Sequence, residues 1–157
     1  MKTLTLTTEF QLATFDELSA EDRNLVELAR KATYRSYAPY SKFKVGAAIL
    51  LDNGKIVEGS NQENAAFPSG TCAERTACYY AHAAYPEAKF SKIAIAARGT
   101  DDEFVASPIA PCGACRQALL EYETLAGKDV PVLLCSGKEV AIFPSVKSLL
   151  PLAFAEF

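Results

Sequence analysis

The sequence predicts one three-layer α/β domain built on a largely mixed sheet. Three observations predict it. Apolar runs of strand length alternate with amphipathic stretches of helical period through residues 45–135. A turn signal, Asp52-Asn53-Gly54, joins two of those runs as a hairpin. At 157 residues the chain is one domain's length, long enough for folding to bury about 68–70% of the surface that the unfolded chain exposes. Disulfides are not needed at that size.

In order along the chain, residues 3–15 alternate polar and apolar, which predicts a peripheral strand. From Ser19 the period becomes helical, with Ser19 as cap, Glu21 and Asp22 in the first turn, and Leu25, Leu28, Ala29 and Ala32 recurring on one face. Tyr37-Ala38-Pro39-Tyr40-Ser41 breaks that helix. Val45 to Leu51 reads as a buried strand whose Gly46, Ala47 and Ala48 allow close packing, and Lys55 to Gly59 returns beside it. A polar loop, 61–70, leads to a helix from Thr71 to about Ala84. Lys92–Ala97 is a strand, 98–110 an acidic loop, and Pro111 to about Leu125 a helix that Gly127 ends. Val130–Cys135 and Glu139–Phe143 are strands, and Ser145–Leu150 is a short helix.

Composition excludes several functions. The net charge of −3 and pI near 5.2, with basic residues scattered, argue against a basic nucleic-acid surface. No apolar run approaches the roughly 20 residues of a membrane span, and Met1–Thr7 lacks the apolar core of a signal peptide. The expectation is a cytoplasmic protein with a small-molecule substrate. Five cysteines, an odd number, favour free thiols or metal ligands over a disulfide framework. His82 is the sole histidine, so a His-rich metal site is excluded.

Cys72, Cys112 and Cys115 carry the chemistry. Cys112 and Cys115 are three apart, which on a helix puts both sulfurs on one face. Both they and Cys72 fall near predicted helix starts, where backbone N–H dipoles favour thiolate. Three thiolates suit a catalytic Zn²⁺, which keeps one position for water, whereas a structural site takes four protein ligands. Arg75 and Arg116, each next to a cysteine, are candidates to donate hydrogen bonds to sulfur and offset its charge. Other readings stand beside these. The Cys-x-x-Cys pair alone fits a redox motif or half of a structural zinc site. Thr71-x-x-Glu74 has capping-box spacing, so Glu74 alone could serve a backbone N–H. Cys135 reads as a small core residue, and Cys78 lies too far along its helix to join Cys72 easily.

Taken jointly, Cys72-x-Glu74 and Pro111-Cys112-x-x-Cys115 match the known signature of zinc deaminases in all-cysteine form, where the glutamate moves protons without ligating metal. The chain resembles cytidine deaminase, in its small homotetrameric form, from about Ala20 to Phe154. The matching segments are Tyr40-Ser41-x-Phe43-x-Val45-Gly46-Ala47-Ala48, Asn61-x-Glu63-Asn64-Ala65, Cys72-Ala73-Glu74-Arg75, Pro111-Cys112-Gly113-x-Cys115-Arg116-Gln117 and Leu149-Leu150-Pro151. Two departures are Ile109-Ala110 before Pro111, where the family often has serine or threonine, and residues 1–18, which read as an N-terminal extension ahead of the usual family start.

The resemblance implies an α/β/α sandwich with a mixed five-stranded sheet. It implies one Zn²⁺ per subunit on Cys72, Cys112 and Cys115, Glu74 as proton carrier, and Asn61 and Glu63 on the ribose hydroxyls. It places Phe43 against the pyrimidine, backbone near Ala73 on the base, and Phe67 and Phe154 in pockets of neighbouring subunits of a homotetramer. Plain core or interface packing is the alternative for the three phenylalanines. The implied activity is conversion of cytidine and 2′-deoxycytidine to uridine and 2′-deoxyuridine plus ammonia, in pyrimidine salvage. The rivals are an aminohydrolase for another cytosine nucleoside, such as blasticidin S, and a structural-zinc module that uses Cys78 or Cys135 as fourth ligand.

Overall fold

A computed structural model describes residues 1–155. Its centre is a mixed sheet of six strands in the order β1-β6-β5-β4-β2-β3. The strands are β1 (Gln11–Thr14), β2 (Lys44–Leu51), β3 (Ile56–Ser60), β4 (Phe90–Arg98), β5 (Val132–Cys135) and β6 (Glu139–Phe143). Only β4 and β5 run parallel; the other neighbours are antiparallel. The expected hairpin is β2–β3, paired from Gly46↔Ser60 to Leu50↔Ile56.

Helix α1 (Ala20–Ala32) covers one face of the sheet; α2 (Ala73–Ala84) and α3 (Gly113–Ala126) cover the other. Ser19 caps α1 by accepting from the Asp22 N–H at 3.1 Å. The helix buries Leu25, Val26, Ala29 and Ala32. Leu25, Val26 and Ala29 pack with Ala48, Ala94, Leu133 and Val140 from the sheet. On the opposite face, Ile49, Ile93, Val132 and Leu134 meet Ala77, Ala81, Leu119 and Leu120. Each fully buried Leu, Ile or Val contributes about 1.5–3 kcal/mol of burial free energy. Two glycines set the helix–sheet spacing. A Cβ on Gly46 would lie 2.2 Å from the Ala29 carbonyl oxygen, and one on Gly59 would lie 2.6 Å from the Ala73 oxygen. Only glycine lets α1 and α2 sit so close to β2 and β3. At the far end of α3, Gly127 takes the left-handed conformation (φ 67°) that ends the helix.

The sheet has six strands where five were expected. The peripheral strand expected over residues 3–15 narrows to Gln11–Thr14 and joins β6, from Gln11↔Ile142 to Thr14↔Glu139. The Phe10 ring stacks on Phe143 at 4.7 Å between centroids, anchoring the strand at the sheet edge. The short C-terminal helix is a 3-10 turn, Val146–Leu149. Three contacts to a buried carboxylate hold it, and a fourth ties in Val130, just ahead of β5. Glu123 on α3 accepts from the N–H groups of Val130, Val146 and Lys147 and from the Ser145 hydroxyl.

Candidate metal centre and adjoining cleft

Helix α2 follows β3 through residues 61–72, and α3 leads into β5, so both helices present their N-termini at one end of the same layer. Cys72 is the N-cap of α2 and Cys112 the N-cap of α3. Pro111 therefore precedes the cap instead of opening the helix, and Cys115 lies at the third helical position. The sulfurs of Cys72, Cys112 and Cys115 all lie within 4.8 Å of one another, with Cys112 and Cys115 3.5 Å apart. A tetrahedral Zn²⁺ with bonds of about 2.3 Å holds its sulfurs about 3.8 Å apart. The donor set fits that ion in chemistry and spacing, and two helix dipoles favour the thiolates. Within the trio, the Cys72 thiol is pushed down to about 5, first by the hydrogen bond from Cys115 and then by Arg75, and Cys115 moves up correspondingly as the donor.

Thr71, the expected cap of α2, is engaged elsewhere. Its N–H and C=O exchange hydrogen bonds of 2.9 Å with Gln62, bridging the two ends of the loop. No capping box forms there, and Glu74 is left facing the thiols. The residue is only 5% exposed. Burial chiefly, and then the Cys72 charge, raises its affinity for a proton. A raised proton affinity suits a group that both takes and gives protons. Ala73 between them is fully buried against Gly59.

The two arginines differ. Arg75 reaches Cys72 Sγ at 3.9 Å, and contact with that thiol strengthens its hold on the proton. Arg116 turns away from sulfur. Its Nε donates to the Pro111 carbonyl at 2.7 Å and its Nη1 to the Leu149 carbonyl at 2.6 Å. Cys78 and Cys135 stay apart from the trio. Burial pushes the Cys78 thiol up to about 12, and Cys135 packs on the α1 side of the sheet. Among the described residues no fourth sulfur completes a closed site. His82 lies by the Tyr122 ring, 5.5 Å between centroids.

Beside the thiols opens a cleft of about 590 Å³ whose walls include Tyr40, Asn61, Glu63, Phe67, Cys72 and Arg75. The Asn61 amide clamps the start of β2: Oδ1 accepts from Val45 N–H at 2.8 Å and Nδ2 donates to Phe43 C=O at 3.0 Å. Glu63 accepts from the Tyr40 and Ser41 N–H groups at 2.8 and 3.2 Å and from the Ser41 hydroxyl. The Ser41 hydroxyl is the main reason its carboxyl sits below the ordinary range. Both residues thus build the cleft wall, with an Asn61 proton and several lone pairs still available. Phe43 is half-buried at the base of this loop. Phe67 is 75% exposed and meets Tyr40 edge-on at 5.9 Å. Phe154 lies away from the cleft, on a hollow between the N- and C-terminal segments, its carbonyl accepting from Gln117. Sequence reading passed over Tyr40 and Ser41 as wall residues. Their position just before Phe43 was the available signal.

A family model, the cytidine and deoxycytidylate deaminase zinc-binding region, matches residues 19–128. The chain belongs to that family. It is 39% identical over 132 residues to a cytidine deaminase of Sporosarcina psychrophila, covering 84% of this chain and 90% of that protein. With a cytidine deaminase of Halalkalibacterium halodurans it shares 38% identity over 130 residues, 83% and 91% of the two chains. Among solved structures it resembles the cytidine deaminase of Burkholderia pseudomallei, with TM-score 0.70 and 39% identity, covering 87% of this chain and all of that one. The cytidine deaminase of Mycobacterium tuberculosis gives TM-score 0.67 at 30% identity over 88% of this chain and all of its own. The α/β/α sandwich with a mixed sheet is therefore the fold of the cytidine deaminases it resembles, and β1 lies ahead of the matched region. None of the helices among the described residues is long and apolar enough to cross a membrane.

Proposed function

We propose that this deaminase hydrolyses the C4 amino group of cytidine and 2′-deoxycytidine, releasing ammonia and leaving uridine or 2′-deoxyuridine. The observation that carries the reading is the three-thiol cluster at two helix N-termini with a buried carboxyl, Glu74, beside it. Cys72, Cys112 and Cys115 would hold one Zn²⁺ per subunit, and Cys78 and Cys135 would not take part. When bound, the ion supplies Lewis acidity, lowering the pKa of a water in its open position toward about 7.

Glu74 does the proton work. Its carboxylate takes a proton from the attacking water and delivers it to ring N3, which makes C4 electrophilic. After attack it accepts the proton of the new hydroxyl and passes it to the amino group, which leaves as ammonia while the C4 carbonyl forms. Burial supports the role, because it keeps the carboxyl's proton affinity above that of a solvated glutamate. Arg75 balances the thiolate charge through Cys72.

Asn61 and Glu63 bind the ribose hydroxyls. Their place on the cleft wall beside Cys72 supports this, and so does the ability of an amide and a carboxylate both to accept from a hydroxyl. A site built on such contacts discriminates strongly against a free base. Phe43 packs against the pyrimidine, with Ala73 backbone close to the base. The working assembly is a homotetramer in which Phe67 and Phe154 complete a neighbouring subunit's pocket. Their exposure in the single chain, 75% and 71%, supports it. Sedimentation tests the assembly; a monomer with full activity would contradict it. We place the reaction in cytoplasmic pyrimidine salvage, a setting that a small nucleoside substrate suits. The activity itself is tested by chromatographic detection of uridine from cytidine, with Glu74→Ala as the inactive reference.

A further inference from the structure

Arg116 connects two parts of the main chain that sequence separates widely. Its guanidinium bonds the carbonyl of Pro111, immediately before Cys112, and the carbonyl of Leu149, which ends the 3-10 turn Val146–Leu149. That turn is itself fixed to α3 through Glu123, which accepts from the Val146 and Lys147 N–H groups at 2.7 and 3.1 Å. A line of support therefore runs from Glu123 to the turn, from the turn to Arg116, and from Arg116 to the residue that carries Cys112 into place. The acceptors are main-chain carbonyls, so these bonds fix the backbone path itself. Pro111 has no N–H, which leaves its carbonyl as its only polar handle. The planar guanidinium, with donors in a rigid fork, holds two carbonyls at a set separation; a lysine ammonium on a flexible stem does not.

Cys112 has particular need of such support. Cys115 is buried within α3 and Cys72 is half-buried, but Cys112 is exposed and lies at the cap, outside the regular helix. Its sulfur is placed by the path of the turn. We propose that Arg116 is a positioning residue for Cys112: by pinning the Pro111 carbonyl to the Leu149 carbonyl, it holds this sulfur in reach of Cys115 and Cys72. The role rests on the three-thiolate reading of the site. It differs from the contact expected of Arg116 from sequence, because the guanidinium acts on the backbone and not on sulfur.

The test is zinc release, which needs no substrate. Arg116→Met keeps the length and apolar stem of the side chain and removes every donor. Zinc-loaded variant and wild type are mixed with a chromophoric chelator, and metal transfer is followed by absorbance, with folding checked by circular dichroism. Loss of a group that orients a ligand typically weakens metal affinity roughly 10–100-fold, so Arg116→Met should release zinc faster by a factor in that range. Arg116→Lys, able to hold one carbonyl at a time, should fall between. Ser19→Ala, which removes the cap of α1 on the opposite face of the sheet, serves as the stability control. It should lower the urea midpoint and keep the wild-type release rate.

Release from Arg116→Met at the wild-type rate overturns the inference alone, as does equal acceleration in Ser19→Ala. If Arg116→Met does not fold, Arg116→Lys decides in the same way: faster release supports the inference and the wild-type rate overturns it. Folded wild type that takes up no zinc overturns this inference together with the metal reading it rests on.

Discussion

Substituting Gly59 by alanine should damage both the fold and the proposed chemistry, although Gly59 touches no substrate. A Cβ there would lie 2.6 Å from the Ala73 carbonyl oxygen and from the Ala77 nitrogen, and 2.9 Å from the Ala77 Cβ. Ordinary contact begins at 3.4 Å, so the first turn of α2 has to retreat by about 0.8 Å, the difference between 3.4 and 2.6. Two of the three atoms struck are backbone, which cannot swing aside as a side chain would. Overpacking of this kind costs about 1–3 kcal/mol. The retreat also carries Cys72 and Glu74, on either side of Ala73, away from Cys112 and Cys115. A displacement near 1 Å at a reacting centre costs on the order of 10²-fold in rate. The assay is urea unfolding paired with kcat for cytidine. Gly54→Ala is the comparison: its site has φ +80° and open space around it. It should lose about 1–2 kcal/mol from left-handed strain and keep its kcat. Wild-type kcat and midpoint in Gly59→Ala would refute the claim that close approach of α2 to β3 positions the site.

Three further outcomes follow from individual residues. Glu123→Ala leaves the N–H groups of Val130, Val146 and Lys147 without their carboxylate; it should cost at least about 3 kcal/mol, read as a fall in urea midpoint, and an unchanged midpoint would contradict it. Removing zinc with a chelator should open two thiols to a colorimetric reagent, half-buried Cys72 and exposed Cys112. Cys78, Cys115 and Cys135, buried with their thiols pushed up, should react only in denaturant; early reaction of Cys78 or Cys135, or no effect of the chelator on Cys72 and Cys112, would show the cluster is misassigned. Glu63 has its carboxyl lowered in the fold, chiefly by the Ser41 hydroxyl. Its contribution to the cleft wall is therefore present above the ordinary value of 4.5 and lost as pH falls through the lowered folded value. Ser41→Ala should move the Glu63 titration back up, seen in carbon NMR of its carboxyl; an unmoved titration would refute the assignment.

Much of this molecule was legible because its signals are local. The Cys112–Cys115 spacing, the Asp52-Asn53-Gly54 turn and the Gly127 stop each depend on a few neighbouring residues. The thiol cluster required only that two helix starts meet, which alternating strands and helices bring about. The misreadings involve residues recruited by distant partners. Thr71 looks like a cap, but a bridge to Gln62 uses its backbone, and Cys72 takes the cap position. Arg116 looks like a sulfur donor, but Leu149, far along the chain, claims its second donor. Alternation in residues 3–15 signals a strand without naming its partner, so the pairing with β6 that makes the sheet six-stranded was not readable. Glu123 resembled any polar helix residue until the turn at Val146–Leu149 folded back onto it. Phe67 and Phe154 carried a signal only through family resemblance, since nothing in a single chain says what an exposed ring faces.

The central claim is that Glu74 moves protons for a deamination carried out beside three thiolates. The direct measurement is the rate of uridine formation from cytidine by zinc-loaded wild type and zinc-loaded Glu74→Gln, whose side chain is nearly isosteric but cannot carry the proton. The account predicts steady turnover by wild type, and zinc content equal in the two proteins with a rate at least about 10²-fold lower in the variant. Comparable rates at equal zinc content would contradict it.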